Sequence, residues 1–261
     1  MARVTLQTIA DRLGVSRMTV SNAFSRPDQL SADLRQKILA AAADLGYAGP
    51  DPAGRALARG TAGAVGVLLT DELQYAFVDE VATSFLAAVV TELAPTGLAL
   101  TLLTPNGRDD VIPARDVALD GAIVYSCKQE STAREWLVRR KLPLVYVDQD
   151  PVPDIASVNV DDRAGARAAA QHLLDLGHRR IGSITGPLHF TTGKGRYDGM
   201  MQALQARGVT PLPEHVRSGD FREGAAYSVA REVLERPDRP SALYVANGLM
   251  ALGVMEGGLC L

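Results

Sequence analysis

The chain has 261 residues, 47% of them hydrophobic and 22% charged, with a net charge of −3. These totals describe an ordinary soluble globular protein, long enough for a small domain and one large core. The sequence shows no positively charged leader followed by an apolar run, and no apolar stretch of membrane-spanning length. We therefore expect neither secretion nor membrane insertion. The two cysteines, Cys127 and Cys260, lie far apart, which indicates a reducing cytoplasm and no disulfide framework.

The charge is divided unevenly along the chain. Residues 1–60 contain eight Lys or Arg and five Asp, a net charge of +3, whereas the remainder has 19 cationic and 25 anionic side chains. A basic N-terminal part on an acidic body is typical of a protein that binds a polyanion at one end. Charge asymmetry alone is weak evidence, and it supports nucleic acid binding only together with the sequence motif that lies in the same residues.

The first residues predict two short helices with a tight turn between them. Thr5 is a good N-cap, Gly14 stands where a helix ends, and Ser16 caps the second helix. One apolar stripe at helical spacing follows Thr5, formed by Leu6, Ile9, Ala10 and Leu13. The second helix can pack back on the first through Val20, Ala23 and Phe24.

The opposite face of the second helix is polar. It carries Arg17, Met18, Ser21, Asn22 and Ser25. Arg can donate two hydrogen bonds to guanine, an amide can pair with adenine, and Met can touch a thymine methyl group. Hydroxyl groups and helix N-termini can hold phosphates. The pattern predicts a helix-turn-helix whose second helix reads the major groove; the alternative is a surface hairpin that happens to be polar.

A third helix and a linker follow. Ser31 caps the helix and Gly46 ends it, and Asp51 with Pro52 then starts a short helix that runs to Gly60. A single helix of this length is marginal in water. By itself it would be largely unfolded, as in a plain interdomain linker.

From Ala64 onward, short apolar runs alternate with helical stretches. The runs read as buried parallel strands at 64–70, 98–104, 121–126, 142–148, 179–185 and 241–246. The helical stretches between them are 77–93, a short one near 108–117, 132–140, 162–176, 194–206, 222–234 and 249–255. Alternating units of this kind predict an α/β fold of doubly wound parallel sheets, in two lobes with a cleft between them.

Ligands of such sheets bind beyond the carboxyl ends of the strands. The residues at or near those ends are Thr70, Asp71, Tyr75, Phe77, Ser126, Asp148, Arg196, Phe221 and Asn247. Carboxylate, amide and guanidinium groups beside an aromatic ring suit a small polar ligand. Each residue also has a structural alternative, because Asp148 can cap a helix, Arg196 can lie on a surface and Phe221 can belong to the core.

No catalytic, metal or cofactor site emerges from the sequence. The segment Thr192–Gly195 lacks the glycine spacing and the Ser or Thr of a phosphate loop. The four histidines have no metal-ligand spacing, and no serine can be placed with a His and an acid. We therefore expect a protein that is not an enzyme and needs neither cofactor nor metal.

The stretches VTLQTIADRLGVSRMTVSNAFS and LSADLRQKILAAAADLGY resemble the DNA-binding head of the LacI family of bacterial regulators. The resemblance implies a head at 1–48, a hinge at 49–61 and a core at 62–261, similar to periplasmic binding proteins, with lobes at 62–160 and 161–261. It assigns base reading to Arg17, Met18 and Asn22, and phosphate contacts to Thr5, Ser16, Thr19 and Ser21. Leu6 joins this DNA-binding set, and Leu57 becomes a wedge in the minor groove.

The resemblance also implies an effector site. Asp148, Arg196, Phe221 and Asn247 match effector-contacting positions, and we add Asp71, Tyr75 and Phe77 from the strand ends. The expected function is a repressor that binds a pseudo-palindromic operator as a homodimer, at the nucleoid in the cytoplasm. Its effector would be small and polar, sugar-like or nucleoside-like. Gly248 replaces an Asp common in the family, which weakens the analogy for sugar specificity.

The C-terminal sequence differs from the family pattern. The chain ends VMEGGLCL, where a family core continues with further strands, and Gly257-Gly258 is a poor helix interior. We therefore expect an incomplete second lobe. The alternatives to a working regulator are a soluble sugar-like binding protein and a defective truncated fragment.

Overall fold

A computed structural model describes residues 4–69, 73–104, 112–127 and 130–259. The chain divides into two compact units, Met1–Gly63 and Ala64–Leu261. The first unit is helical, and the second alternates strands and helices. This mixed architecture confirms the predicted fold class.

In its described residues, 4–63, the first unit contains four α-helices. They are α1 (Leu6–Leu13), α2 (Arg17–Ser25), α3 (Ala32–Asp44) and α4 (Pro52–Arg59), with a 3-10 turn at Pro27–Gln29. Each of α1, α2 and α3 contributes a fully buried side chain, and these are Ile9, Val20 and Ile38. Burial of one such side chain contributes about 1.5–3 kcal/mol, so α1–α3 have a small core of their own.

Within the part of the second unit that the structure describes, the first sheet has five parallel strands in the order β2-β1-β3-β4-β5. Its strands are β1 (Ala64–Leu69), β2 (Ala99–Leu103), β3 (Gly121–Tyr125), β4 (Leu144–Val147) and β5 (Ala156–Val158). Its helices are α5 (Leu73–Ala76), α6 (Glu80–Leu93), α7 (Pro113–Asp116) and α8 (Thr132–Arg139). Along β1, Val67 and Leu69 belong to one apolar cluster and Leu68 to another. Successive side chains point to opposite faces, so both faces of the sheet are covered.

A second parallel sheet has the order β7-β6-β8 in the described residues. The strands are β6 (Ile181–Thr185), β7 (Val216–Ser218) and β8 (Ala242–Val245). They are packed with α9 (Asp162–Asp175), α10 (Thr191–Ala206), α11 (Glu223–Leu234) and α12 (Gly248–Leu259). Every residue of the central strand β6 is buried, including the polar Ser183 and Thr185, as expected for a strand of a parallel sheet that is covered on both faces.

The structure differs from the prediction in several elements. The helix predicted at 77–93 begins at Glu80, with Phe77 in the preceding turn. The short strands β5 and β7 were not predicted. We also took Gly257-Gly258 for a poor helix interior, and this was wrong, because α12 continues through both residues to Leu259. The close packing of α12 on α11 is the reason, since a Cβ at Gly257 would lie only 3.1 Å from the Tyr227 carbonyl oxygen.

Candidate functional site

The caps of α1 and α2 fix the helix-turn-helix. Thr5 and Thr8 form a reciprocal capping box, in which each hydroxyl accepts a hydrogen bond from the other residue's backbone N–H. Gly14 ends α1 with φ +64°, a conformation that strains other residues. The Ser16 hydroxyl then accepts from the Thr19 N–H at 3.0 Å and starts α2. Local sequence therefore sets the angle at which α2 emerges.

The polar face of α2 lies at the surface. Arg17 is exposed, 69% of Met18 is accessible, and Ser21 and Asn22 are half-buried beside them. The opposite side of the helix buries Val20 and Ala23. An exposed cation, thioether and amide on one helix face are the groups that can read base edges in a major groove.

A groove in the first unit joins α2 to α4. Four arginines line it, Arg17, Arg26, Arg55 and Arg59, with one acidic residue, Asp51. Hydroxyl groups from Thr5, Ser21 and Ser25 share the same lining. Guanidinium and hydroxyl groups around one groove are suited to phosphate oxygens of a nucleic acid backbone.

The short helix α4 is well capped but packs on little. The Asp51 carboxylate accepts from the backbone N–H groups of Ala53 (2.8 Å) and Gly54 (3.3 Å). None of its residues is buried, and Leu57 is 87% exposed. Local caps alone stabilise an eight-residue helix only marginally. The exposed Leu57 is therefore placed to bury its side chain against a partner.

The second unit has a cavity of about 260 Å³ beyond the carboxyl ends of its strands. Its charged lining residues are Asp79, Asp148, Asp220, Arg196 and Arg222. Its aromatic ones are Tyr75, Tyr125, His189, Phe190 and Phe221, and Val81, Ser126, Val160, Pro187, Thr192 and Asn247 complete it. Hydrogen-bonding groups beside aromatic faces suit a hydroxylated ring, which needs both.

Arg196 is fixed in position by two hydrogen bonds. Its Nε donates to the Asp162 carboxylate at 2.7 Å, and its Nη1 donates to the Ala246 carbonyl at 2.8 Å. These bonds tie α10 to the start of α9 and the end of β8. In the described residues, no further hydrogen bond is formed by Nη2, and the two bonds set the orientation of the guanidinium.

The Phe221 carbonyl is a meeting point in the cavity wall. It accepts from the Tyr75 hydroxyl at 3.3 Å and from the Asn247 amide at 3.4 Å. Tyr75 belongs to α5, which follows β1 of the first sheet, whereas Phe221 follows β7 and Asn247 follows β8 of the second sheet. The Asn247 side-chain oxygen also accepts from the Met250 N–H at 2.9 Å. Much of the Asn247 amide is thus used to hold the wall and to cap α12.

Strained backbone is concentrated around this cavity. Six described non-glycine residues have positive φ, and four of them line it. These are Ser126 (+46°), Asp148 (+53°), Asp220 (+53°) and Phe221 (+57°). Such conformations cost roughly 1–3 kcal/mol each and cluster at ligand sites. The sheets therefore hold these side chains in place against a local energetic preference.

Burial changes the ionisation of the cavity groups. It raises the pKa of Asp148 above the ordinary value, opposed by the hydrogen bond from the Val160 N–H and assisted by the Asp162 carboxylate. Burial also raises the pKa of Tyr75 and of Tyr125 to about 12. Both phenols therefore remain protonated hydrogen-bond donors at neutral pH.

Comparison with known proteins identifies the family. The lacI family of bacterial regulatory proteins matches residues 5–49, and a periplasmic binding protein-like domain matches residues 170–258. An HTH-type transcriptional regulator of Mycolicibacterium smegmatis is 38% identical, over 97% of this chain and 77% of the relative. IpsA, an HTH-type transcriptional regulator of Corynebacterium glutamicum, is 37% identical over the same shares. The chain belongs to the LacI family.

Solved structures agree with this assignment. A LacI-family regulator from Corynebacterium glutamicum is 32% identical, with a TM-score of 0.64 over 100% of this chain and 80% of that one. The regulator CelR in complex with cellobiose is 27% identical, with a TM-score of 0.68 over 99% and 78%. The lac repressor dimer bound to operator and an anti-inducer is 24% identical, with a TM-score of 0.77 over 98% and 77%, and shows the same fold.

The structure of this LacI-family regulator brings most of the predicted site residues together. Arg17, Thr5, Leu6 and Ser21 line the groove of the first unit, and Met18 lies on the exposed face of α2. Leu6 is also packed against the head core. Ser16 and Thr19 contribute their hydroxyls to the helix cap, where the two oxygens are 2.8 Å apart.

Five of the seven predicted effector residues line the cavity: Tyr75, Asp148, Arg196, Phe221 and Asn247. Phe77 does not line it. The helix α5 ends at Ala76, and the Phe77 ring that follows is 55% exposed. Asp71 lies outside the described residues, as does Thr70. The roles of these residues remain predictions.

Several lining residues of the LacI-family cavity were missed. Phe190 and Thr192 belong to the start of α10, and Asp220 and Arg222 lie in the turn after β7. Because β6 was predicted, the segment after its end could have marked Phe190 and Thr192 as candidates for the site. The strand β7 has no apolar run, so its end could not mark Asp220 and Arg222. In residues 4–69, 73–104, 112–127 and 130–259, no group of three or more His, Cys, Asp or Glu is arranged to hold a metal, and no helix is long and apolar enough to cross a membrane.

Proposed function

We propose that this LacI-family regulator represses transcription by binding a pseudo-palindromic operator as a homodimer, at the nucleoid in the cytoplasm. A small polar effector in the cavity of the second unit would control its affinity for the operator. The observation that carries the proposal is the exposed reading face of α2 beside a groove lined by four arginines. The strained cavity at the strand ends supplies a place for the effector.

In this proposal the DNA-binding residues have separate tasks. Arg17, Met18 and Asn22 read base edges, and the hydroxyls of Thr5, Ser16, Thr19 and Ser21 hold phosphates. Arg55 and Arg59 lie one helical turn apart on the side of α4 that faces the groove, and they hold backbone phosphates too. Leu57 lies on another side of α4 and enters the minor groove.

The homodimer is supported by helix α6. Its exposed positions include Val81 and Val90, which are 65% and 50% accessible, and the small residues Ala87 and Ala88. The only charged residues in the helix are Glu80 and Glu92, close to its ends. The hydroxyl residues Ser84 and Thr91 are exposed on the same helix. Exposed faces of helices are usually charged, so an uncharged face of small and apolar residues indicates burial against a second copy. Two copies of the head would then contact two half-sites.

The effector that best fits the cavity is a hydroxylated ring, such as a sugar. Asp148 and Arg196 offer hydrogen bonds to hydroxyl groups, and Phe221 offers a face on which a ring can stack. The solved structure of the relative CelR is a complex with cellobiose, which agrees with this chemistry. Another relative is named as a ribose operon repressor, a name that also points to a sugar.

Selection from a library of DNA duplexes with two randomised half-sites tests the proposal. We expect the wild type to enrich a pseudo-palindrome at near-physiological salt, and Arg17→Ala to enrich a site with one position relaxed. Titration of mono- and disaccharides against the selected duplex would then reveal the effector as a loss of binding. Failure of the wild type to enrich any sequence over random DNA would refute sequence-specific regulation.

A further inference from the structure

A side chain outside α2 holds the amide of Asn22. The Asn22 Nδ2 donates to the Gln29 Oε1 at 3.0 Å. Gln29 is the last residue of the 3-10 turn Pro27–Gln29, seven positions further along the chain. Asn22 is half-buried on the reading helix, and Gln29 is exposed. The contact therefore joins the reading face of α2 to the turn that follows it.

The turn that presents Gln29 is itself fixed. The Arg26 N–H donates to the Asn22 carbonyl at 2.8 Å and ends α2, and the Gln29 N–H donates to the Arg26 carbonyl at 3.1 Å. The ring of Pro27 restricts φ at the start of the turn. Leu30, directly after Gln29, packs on the core of the head. Gln29 thus has a defined position relative to Asn22.

An asparagine that reads a base must present its amide the right way round. Adenine offers the acceptor N7 and the donor N6, so Asn must place one N–H and its oxygen in that order. Rotation of the amide by half a turn exchanges the two groups and destroys the match. In the structure Asn22 turns its Nδ2 towards the Gln29 Oε1. An oxygen at that place favours this orientation over the reversed one, in which two amide oxygens would face each other.

We infer that Gln29 is a positioning residue for base reading by Asn22, which makes it a determinant of operator specificity. With one N–H given to Gln29, Asn22 keeps the Oδ1 acceptor and a second N–H. In the described part of the chain, no other hydrogen bond is formed by the Asn22 side chain. These two groups form the pair that adenine requires. This inference rests on the proposed function, in which Asn22 reads a base.

The test compares two substitutions at one position. Gln29→Leu keeps the volume and removes the acceptor, whereas Gln29→Glu keeps an acceptor for Asn22 and adds a negative charge. Competition binding against every base pair at each half-site position gives the base preference. We expect Gln29→Leu to reduce discrimination by about fivefold or more at the position that Asn22→Ala identifies. We expect Gln29→Glu to keep that preference, with weaker binding to all sequences.

The matched control is Gln36→Leu, which alters an exposed glutamine on α3 and should leave every base preference unchanged. In an Asn22→Ala background, Gln29→Leu should cause no further loss at the shared position, because Gln29 acts through Asn22. Thermal unfolding of each variant separates this effect from a loss of stability, which would not be confined to one base pair.

Three outcomes would overturn the inference. In the first, Gln29→Leu leaves the base preference unchanged. In the second, Gln29→Leu changes the preference at a different base pair, which would mean that Gln29 reads a base directly. In the third, Gln29→Glu loses the preference as fully as Gln29→Leu does. A failure of the proposed function gives another result. In that case Asn22→Ala itself would alter no base preference, whatever the effect of the Gln29 variants.

Discussion

Single side chains on α2 differ in what their polar atoms already bind. The Ser16 oxygen accepts from the Thr19 N–H, and the two hydroxyls are 2.8 Å apart, so their acceptor capacity is partly used inside the protein. A hydroxyl in this position still has an O–H to donate, which suits a phosphate oxygen. The Arg17 side chain forms no hydrogen bond to the residues that the structure describes, and its forked donors suit guanine.

We predict that Arg17→Ala relaxes preference at one operator base pair. The expected cost is about 1–3 kcal/mol in discrimination, because a bidentate contact to guanine is lost. Ser16→Ala should instead weaken binding to all sequences. Competition against a randomised half-site library measures both effects, with thermal unfolding as a control, since loss of a helix cap costs about 0.5–2 kcal/mol in stability. An unchanged base preference in Arg17→Ala would contradict the assignment of α2.

A second prediction at this scale concerns Asp148. Burial raises its pKa in the folded protein above the ordinary 3.8, so the charged form destabilises the free fold. Asp148→Asn removes the charge and keeps an acceptor for the Val160 N–H, which lies 3.3 Å from Oδ1. Asn also tolerates the positive φ at this position. We expect a higher melting temperature at neutral pH and weaker effector binding.

The sign of the pH dependence follows from proton linkage. Between the ordinary pKa and the raised one, the folded state binds more protons than the unfolded state, so wild-type stability falls as the pH rises through that window. Asp148→Asn has no carboxyl group at this position and should not lose stability in this window. The difference in melting temperature between the variant and the wild type should therefore be small below pH 3.8, increase above that pH, and stay constant near neutrality. Wild type that is more stable than the variant at pH 7 would mean that a structural role of the carboxylate outweighs its burial.

At the scale of elements, α4 differs from the other helices of the head. It has good caps at Asp51 and Gly60, but none of its residues is buried. A short helix with caps and no packing is marginal in free solution. Its formation should depend on DNA, where Leu57 gains a contact that this chain does not offer.

We predict that Leu57→Ala lowers operator affinity by about tenfold and reduces DNA bending, because the apolar wedge is lost. Salt-sensitive binding to random DNA should stay nearly the same, since Arg55 and Arg59 remain. Fluorescence anisotropy on specific and random duplexes, with a bending assay, measures the two effects. Equal losses on both duplexes would indicate a passive linker.

Gly54→Ala is the matched counterpart in the same helix. A Cβ at Gly54 would meet only the Asp51 Cβ, at an ordinary 3.9 Å, and Ala stabilises a helix by about 1 kcal/mol relative to Gly. This variant should form α4 more readily and bind the operator up to about fivefold more tightly. Weaker binding would mean that the glycine is needed for contact with DNA.

How far the sequence predicts this fold depends on the signal in each element. The strand β6 is fully buried and was predicted from the run at 179–185, which contains Ile181 and Ile184, whereas β5 is exposed at all three positions and gave no such signal. The end of α12 was misjudged because helix propensity disfavours glycine, while packing on α11 requires a small residue at Gly257. Among the cavity residues after β7, Phe221 was placed in the site by the family resemblance. Asp220 and Arg222 were missed, because β7 is a short strand without an apolar run to mark its end.

At the scale of the whole molecule, the proposed mechanism requires two copies. One head with a short reading helix contacts one half-site, and nonspecific DNA competes with such a single contact. A dimer adds a second half-site through the same linkage, which raises affinity and specificity together. The uncharged face of α6 is the surface in the described residues that we assign to this contact.

We predict that Ala88→Glu disrupts the dimer. Glutamate is a good helix former, so α6 should remain intact, while the substitution places a charge on each copy in an interface whose central part is otherwise uncharged. Burying or opposing these charges should raise the dimer dissociation constant by at least about tenfold. Ala168→Glu makes the same change at an exposed position of α9 and is the control.

Sedimentation equilibrium measures the association, and binding to a full operator and to a single half-site measures its consequence. The full-operator affinity should fall towards that of the half-site, and the half-site affinity should not change. If Ala88→Glu dimerised as tightly as the control, the face of α6 would not be the interface.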